Sequence, residues 1–220
     1  MGCIPMLGFY FIYKSSCLVN SFNGLYISYK TGLFFNKFIL RLLFNGFIAV
    51  QTKGIENTDQ TLDIALKEAV SRNTDIVVAT SSGETALKLA RLAKDNHFPG
   101  NIITVTLAYG YGQGGKNPMN EETRKELIDM DVKVVTAAHA LSGGERSFSR
   151  KHHGISTVEI VADTLRMFCA GVKVCVEIAL MANDAGMLEY NKPVICVAGT
   201  GKGADTICYI TPAYTANLLD

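Results

Sequence analysis

From Gly46 onward the chain alternates short apolar, β-branched runs with stretches whose apolar residues recur at helical spacing, and this alternation restricts the fold more than any other feature. Phe47-Ile48-Ala49-Val50 reads as a strand, and Asn57 or Thr58 then caps a helix carrying Leu62, Ala65, Leu66 and Ala69 on one face. Asp75 to Thr80 is a second strand, and Ser82 to Thr85 leads at once into a helix through Leu92. Asn101 to Leu107 is a β-branched strand, Asn120 to Met130 a helix, and Val132 to Thr136 a strand expected to be buried on both faces. After a polar loop, Ser156 and Glu159 form a capping-box pattern for a helix from Thr157 to about Ala170. Gly171 is expected to break it, Lys173 to Asn183 to continue as a second apolar helix, and Pro193 to Gly199 and Thr206 to Ile210 to close as strands. Such a pattern predicts an α/β fold: a three-layer αβα arrangement around a mostly parallel sheet. Ligands in these folds sit beyond the carboxyl ends of the strands, so the loops there are where chemistry is to be sought.

Residues 1–45 do not share this pattern and are read as an atypical extension, possible translation from a mis-set start, with residues 46–220 forming the domain. The first fifty residues contain Lys14, Lys30, Lys37 and Arg41 and no acid, and hold 12 of the 20 aromatics. Gly2 to Tyr13 is apolar without a preceding base, which is not a secretory pattern, and Met6 fails the myristoylation motif. Leu33 to Val50 approaches spanning length, but Asn36, Lys37, Arg41 and Asn45 interrupt it. A membrane role is therefore not expected. The remainder carries 17 basic and 20 acidic residues, a balance that lacks the field needed to gather phosphate backbones, so nucleic acid is not an expected partner. Six cysteines without a CxxC pair, four of them in apolar contexts, fit buried thiols in a reducing, cytoplasmic setting; neither a metal site nor a disulfide frame is expected.

Four loops could carry function. In Thr80-Ser81-Ser82-Gly83-Glu84-Thr85, a glycine among hydroxyl and acidic residues at a helix start either offers N–H groups and the positive dipole end to a phosphate or is simply capped by Ser82. In Gly199-Thr200-Gly201-Lys202-Gly203, alternate glycines permit close backbone approach and Lys202 supplies a cation, but a glycine-rich hairpin would read the same, and a Rossmann cradle is not expected because a strand follows. Tyr109-Gly110-Tyr111 opens a glycine-dense loop whose rings either stack on a planar ligand or cover the sheet. The stretch from His139 to His153 offers Arg146, Arg150 and Lys151 to an anion, and His139 and Ser142 as acid-base or nucleophilic groups; the anion clamp is the better reading. Adjacent His152 and His153 match no zinc spacing.

The segments His139 to Ser147, Val158 to Phe168 and Gly171 to Ala179, with Thr80 to Ala86 and Gly199 to Thr206, resemble those of a stand-alone family related to the C-terminal α/β domain of pyruvate kinase. The likeness covers roughly residues 46–220, and by this resemblance the chain is expected to stop short of a last segment that would follow the Asn-Leu-Leu-Asp pattern. In pyruvate kinase this domain is regulatory, and the resemblance implies that the Thr80 to Thr85 loop holds a phosphate. The catalytic barrel of that enzyme needs roughly 200 residues or more of its own, for which there is no room, so pyruvate kinase catalysis is not expected.

The resemblance further implies a phosphorylated planar ligand, flavin mononucleotide among them. The leading expectation is thus a phospholigand-binding domain whose contacts are Thr80, Ser81, Ser82, Gly83, Glu84, Thr85, Tyr109, Gly110, Arg146, Gly199, Thr200, Gly201, Lys202 and Gly203. One alternative is an enzyme using the same pocket with His139 or Ser142 active. The other is a regulatory module that self-associates through the apolar helix around Val172 to Met181. Glu177 and Asp184 are noted as carboxylates that are either buried in function or paired with Arg166 or Lys173.

Overall fold

The computed structural model describes residues 8–11, 54–111 and 113–218. The strand expected at Phe47 to Val50 lies outside them. Six strands form one sheet: β1 (Gly8–Phe11), β2 (Ile76–Ala79), β3 (Ile102–Val105), β4 (Lys133–Val135), β5 (Val194–Ala198) and β6 (Thr206–Ile210). Their spatial order is β1-β6-β5-β2-β3-β4. β2, β3, β4 and β5 run parallel, and β6 runs against both its neighbours, β5 and β1. This is the mostly parallel α/β sheet that the alternation predicts.

Helices α1 (Thr58–Arg72), α2 (Glu84–Asp95) and α3 (Glu121–Asp129) cover one face of the sheet. Their Leu62, Leu66, Leu89 and Leu127 pack on Ile76, Val78, Ile195 and Ile207. The opposite face is covered by α6 (Ala170–Asp184), whose Val172, Cys175, Ile178 and Ala182 meet Val77, Ile103, Cys196 and Cys208. Val77 and Val78 face opposite layers, as the two-residue period of a strand requires. β2 and β5 are therefore covered on both faces, which is why they read as unbroken apolar runs.

The remaining helices are α4 (Glu145–His152) and α5 (Thr157–Arg166). At the start of α5, Ser156 Oγ accepts from the Glu159 N–H at 3.3 Å and Glu159 returns its carboxylate to the Ser156 N–H at 2.9 Å, the reciprocal capping box expected there. The Glu159 side chain also accepts from Ser149 Oγ, and this bond holds its carboxyl below the ordinary range. Ser156→Ala is expected to lower the unfolding free energy by about 1 kcal/mol, read from the urea midpoint.

Four expectations are corrected. The polar stretch after β4 contains α4; it buries none of its residues, so no apolar period announces it, and only Glu145 in its first turn with Arg150, Lys151 and His152 in its last mark its direction. Among the described residues β4 is an edge strand, with Lys133 exposed and only Val135 of its three residues buried, because no described strand flanks it on the far side. The break between α5 and α6 is at Cys169, whose backbone is extended and whose Sγ accepts from the Val172 N–H; Gly171 lies inside α6. The Val172 to Met181 surface is buried against the sheet and is not free for self-association. The exposed apolar side chains lie elsewhere, Phe148, Ile155, Ile160, Met167 and Phe168 among them.

At Gly171 the backbone of α6 lies close against β6. A Cβ there would lie 2.0 Å from Thr206 Oγ1 and 2.5 Å from Thr206 Cβ, so the bare backbone sets how near the helix can approach β6. Among the described residues no helix is long and apolar enough to cross a membrane.

Candidate functional site

The strand order places β5 on one side of β2 and β3 on the other, so connections from the carboxyl ends of β2 and β5 diverge and leave a crevice between them. A cleft of about 340 Å³ opens there. Four of its walls come from the loops at the strand ends: Thr80 and Ser81 after β2, Thr106, Leu107 and Tyr111 after β3, His139 after β4, and Gly199, Gly201 and Gly203 after β5. Thr85 enters from α2, Arg166 from α5, and Ala170, Lys173 and Glu177 from α6.

At the start of α2 the sharp turn is made by Gly83, with φ at +97°, and a Cβ on it would lie 2.2 Å from the Thr123 methyl. Glycine is required on both counts. Thr80 Oγ1 accepts from the Gly83 N–H at 3.0 Å, and no side chain caps the helix. Capping by Ser82 is therefore not what this loop does: Gly83 is the cap residue, and the first-turn N–H groups lack an intrahelical acceptor. On the far side of the cleft, β5 and β6 form an antiparallel hairpin whose loop is the glycine-rich segment, the arrangement that the sequence left as an alternative. The Asp205 carboxylate, itself buried, fixes it by accepting from the N–H groups of Thr200 and Gly54 and from Thr206 Oγ1.

Between the helix start and the hairpin lies a buried ionic cluster. Lys173 Nζ donates to Glu177 Oε2 at 2.6 Å, with each side chain only 6% exposed. Glu177 Oε1 accepts from the Leu141 N–H at 3.1 Å and from Ser142 Oγ at 3.2 Å, so one carboxylate ties α6 to the loop that bears His139. His139 Nε2 accepts from the Ala108 N–H at 3.4 Å, which puts the imidazole proton on Nδ1, 3.4 Å from Ser142 Oγ and 4.0 Å from Glu177 Oε2. Burial holds this histidine below its ordinary pKa, against the opposing pull of Glu177 and with help from Lys173 and Arg146. Its ring stacks on Tyr111 at 4.6 Å, and Arg146 donates to the Tyr111 hydroxyl at 3.1 Å.

The expected residues thus divide. Thr80, Ser81, Thr85, Gly199, Gly201, Gly203 and His139 line the cleft, and Tyr111 with them. Ser82, Gly83 and Glu84 shape the turn behind it, and Thr200 is held by Asp205. Tyr109 is 57% exposed with its hydroxyl on Glu121, Gly110 has open space around it, and Lys202 is exposed. Arg146 makes its hydrogen bond in the site to Tyr111, and its charge also bears on His139. Ser142 is buried and donates to Glu177, and the Nε2 lone pair of His139 accepts from a backbone N–H, an arrangement that braces the loop. Arg166 pairs with Asp163 and Asp184 with Thr215, so of the pairings weighed for these carboxylates only Lys173 with Glu177 forms.

Lys173 was weighed only as an ion-pair partner and not among the expected ligand contacts, although a lysine and a glutamate four apart in an otherwise apolar helix are buried most readily as a pair. Among the described residues no group of three or more His, Cys, Asp or Glu side chains is placed to hold a metal ion.

The model of the pyruvate kinase alpha/beta domain matches residues 72–209, from the end of α1 into β6. The chain belongs to the pyruvate kinase alpha/beta domain family. The match takes in the β2–α2 turn, the His139 loop, α6 and the glycine-rich hairpin, so every wall of the cleft falls within the pyruvate kinase-like portion.

Proposed function

We propose that the chain is a binding domain for a small phosphorylated ligand with a planar ring, flavin mononucleotide being one example. The observation that carries this reading is the convergence on one cleft of an uncapped α2 N-terminus with the hydroxyls of Thr80, Ser81 and Thr85, the backbone of the Gly199 to Gly203 loop, and the Lys173 ammonium. Unsatisfied N–H groups, hydroxyls and a cation are what a phosphate requires. Tyr111, backed by His139 and fixed by Arg146, supplies a face for a ring.

The test is a thermal-shift series with flavin mononucleotide, nucleotides and sugar bisphosphates. A ligand present at a hundred times its Kd stabilises the native state by about 2.7 kcal/mol, which raises the Tm by several degrees. Ser81→Glu places a carboxylate at the mouth, on an exposed position where the fold does not depend on it. It is expected to leave the ligand-free Tm within about 1 °C and to abolish the ligand-induced rise; a rise that survives this change sinks the phosphate assignment.

A second reading, a module that associates with copies of itself, draws on Met167 at 83% and Ile155 at 78% exposed, both large and apolar. Sedimentation of the protein as a monomer across its working concentrations would remove it.

A further inference from the structure

The reading of the cleft as a phosphate site leads to a consequence for the buried cluster at its wall. We infer that occupation of the cleft by a dianionic phosphate is coupled to uptake of a proton by His139, with Lys173 and Glu177 as the exchanging pair; this rests on the proposed ligand class.

Lys173 is a buried cation in the wall of the cleft, and its ammonium donates to a carboxylate oxygen of Glu177. Its Nζ sits at the end of a flexible stem, and a dianion seated between the α2 N-terminus and α6 attracts it more strongly than the monoanionic Glu177 does. Glu177 then keeps the Leu141 N–H and the Ser142 hydroxyl but loses its counter-charge inside a nearly dry wall. A buried carboxylate without a cation is costly, and the nearest titratable group able to supply one is His139, with Nδ1 already 4.0 Å from Oε2. Protonation requires only that Nε2 give up the Ala108 N–H, a contact that is long at 3.4 Å.

The other groups around this imidazole set the direction of the change. Lys173 on α6 and Arg146 on α4 both disfavour its protonation, and Glu177 favours it. Tyr111 faces its ring from the loop after β3, and Arg166 of α5 lines the same cleft while paired with Asp163. Moving the Lys173 ammonium onto the ligand weakens one of the two opposing charges and unmasks the one favourable charge. The dianion itself adds a second favourable charge. The imidazole is therefore neutral in the empty site and charged in the filled one.

A coupled proton has a definite signature: between the free and bound pKa values of His139, the Kd rises about tenfold for each unit of pH. Inorganic phosphate changes its own charge in this range, so the measurement uses sulfate, which does not, with phosphate alongside. Calorimetric titrations of the full chain with sulfate at pH 6 to 8, in buffers of different ionisation enthalpy, should show proton uptake, and His139→Gln should bind sulfate with a pH-independent Kd. Because that variant could also disturb the Tyr111 stack, the imidazole resonances of the unaltered protein provide a second measure. The His139 pKa should rise when sulfate is added. Sulfate binding with no proton uptake and an unmoved His139 resonance overturns this inference and leaves the phosphate reading standing. Absence of any binding by sulfate, phosphate or phosphorylated ligands overturns both.

Discussion

Glu177→Ala is expected to lower the unfolding free energy by about 3–5 kcal/mol, seen as a fall in the urea midpoint at unchanged slope. The loss comes from what is left behind. The Lys173 ammonium, 6% exposed, stays inside α6 without its carboxylate at 2.6 Å, and the Leu141 N–H and Ser142 hydroxyl lose their acceptor at the same stroke. Removing both charges avoids this, so Lys173→Met with Glu177→Leu should recover most of the stability that the single change loses, because a buried pair contributes little beyond a well-packed apolar one. The contrast with the solvent-exposed pair of Lys67 and Asp63, also at 2.6 Å, is the control: its disruption should cost well under 1 kcal/mol. A Glu177→Ala effect as small as that would mean that water reaches the cluster freely.

Gly171→Val is expected to destabilise the fold by about 3 kcal/mol, at the upper end of what overpacking costs. The added Cβ falls 2.0 Å from Thr206 Oγ1, and the neighbouring atoms belong to a strand whose other face is pinned by α1. Helix α6 must tilt away from β6 or Thr206 must leave its rotamer, and either disturbs Cys169 and Asp205, both hydrogen-bonded to that threonine. Trimming Thr206 to glycine in the same chain should restore part of the loss, and a double-mutant cycle on urea midpoints measures the coupling. Additive effects would show that the two residues do not share this contact.

Periodicity made the architecture legible where burial is two-sided or one-sided and regular. The runs Ile76 to Ala79 and Val194 to Ala198 are buried along almost their whole length, and the α2 face of Ala86, Leu89, Ala90 and Ala93 keeps its helical spacing. α4 was not legible because nothing in it is buried, and β4 was misjudged because an apolar trio cannot say whether a further strand lies beyond it. In the site, Thr80, Ser81 and Thr85 were readable as a glycine turn at a helix start, since that chemistry is local in sequence. Which cation lines the cleft was not readable. Lys202 had the better context and lies outside, whereas Lys173 had an apolar context and lines the wall, because only tertiary packing decides which side of α6 and which side of a hairpin turn inward.

The crevice between β2 and β5 also has a history in time. Ile76 pairs with Ile102 after a single intervening helix, but its pairing with Ile195 on the other flank spans more than half the chain. Closing so long a loop is slow compared with forming the neighbouring βα units, so the hairpin of β5 and β6 is expected to dock onto a half-sheet already organised around β2, β3 and β4. On that expectation the cleft is a seam, completed late in folding and opened early when the hairpin loosens. A ligand held on both of its lips would act as a clasp across the most non-local joint in the molecule, slowing unfolding by more than its equilibrium stabilisation of any single element would suggest.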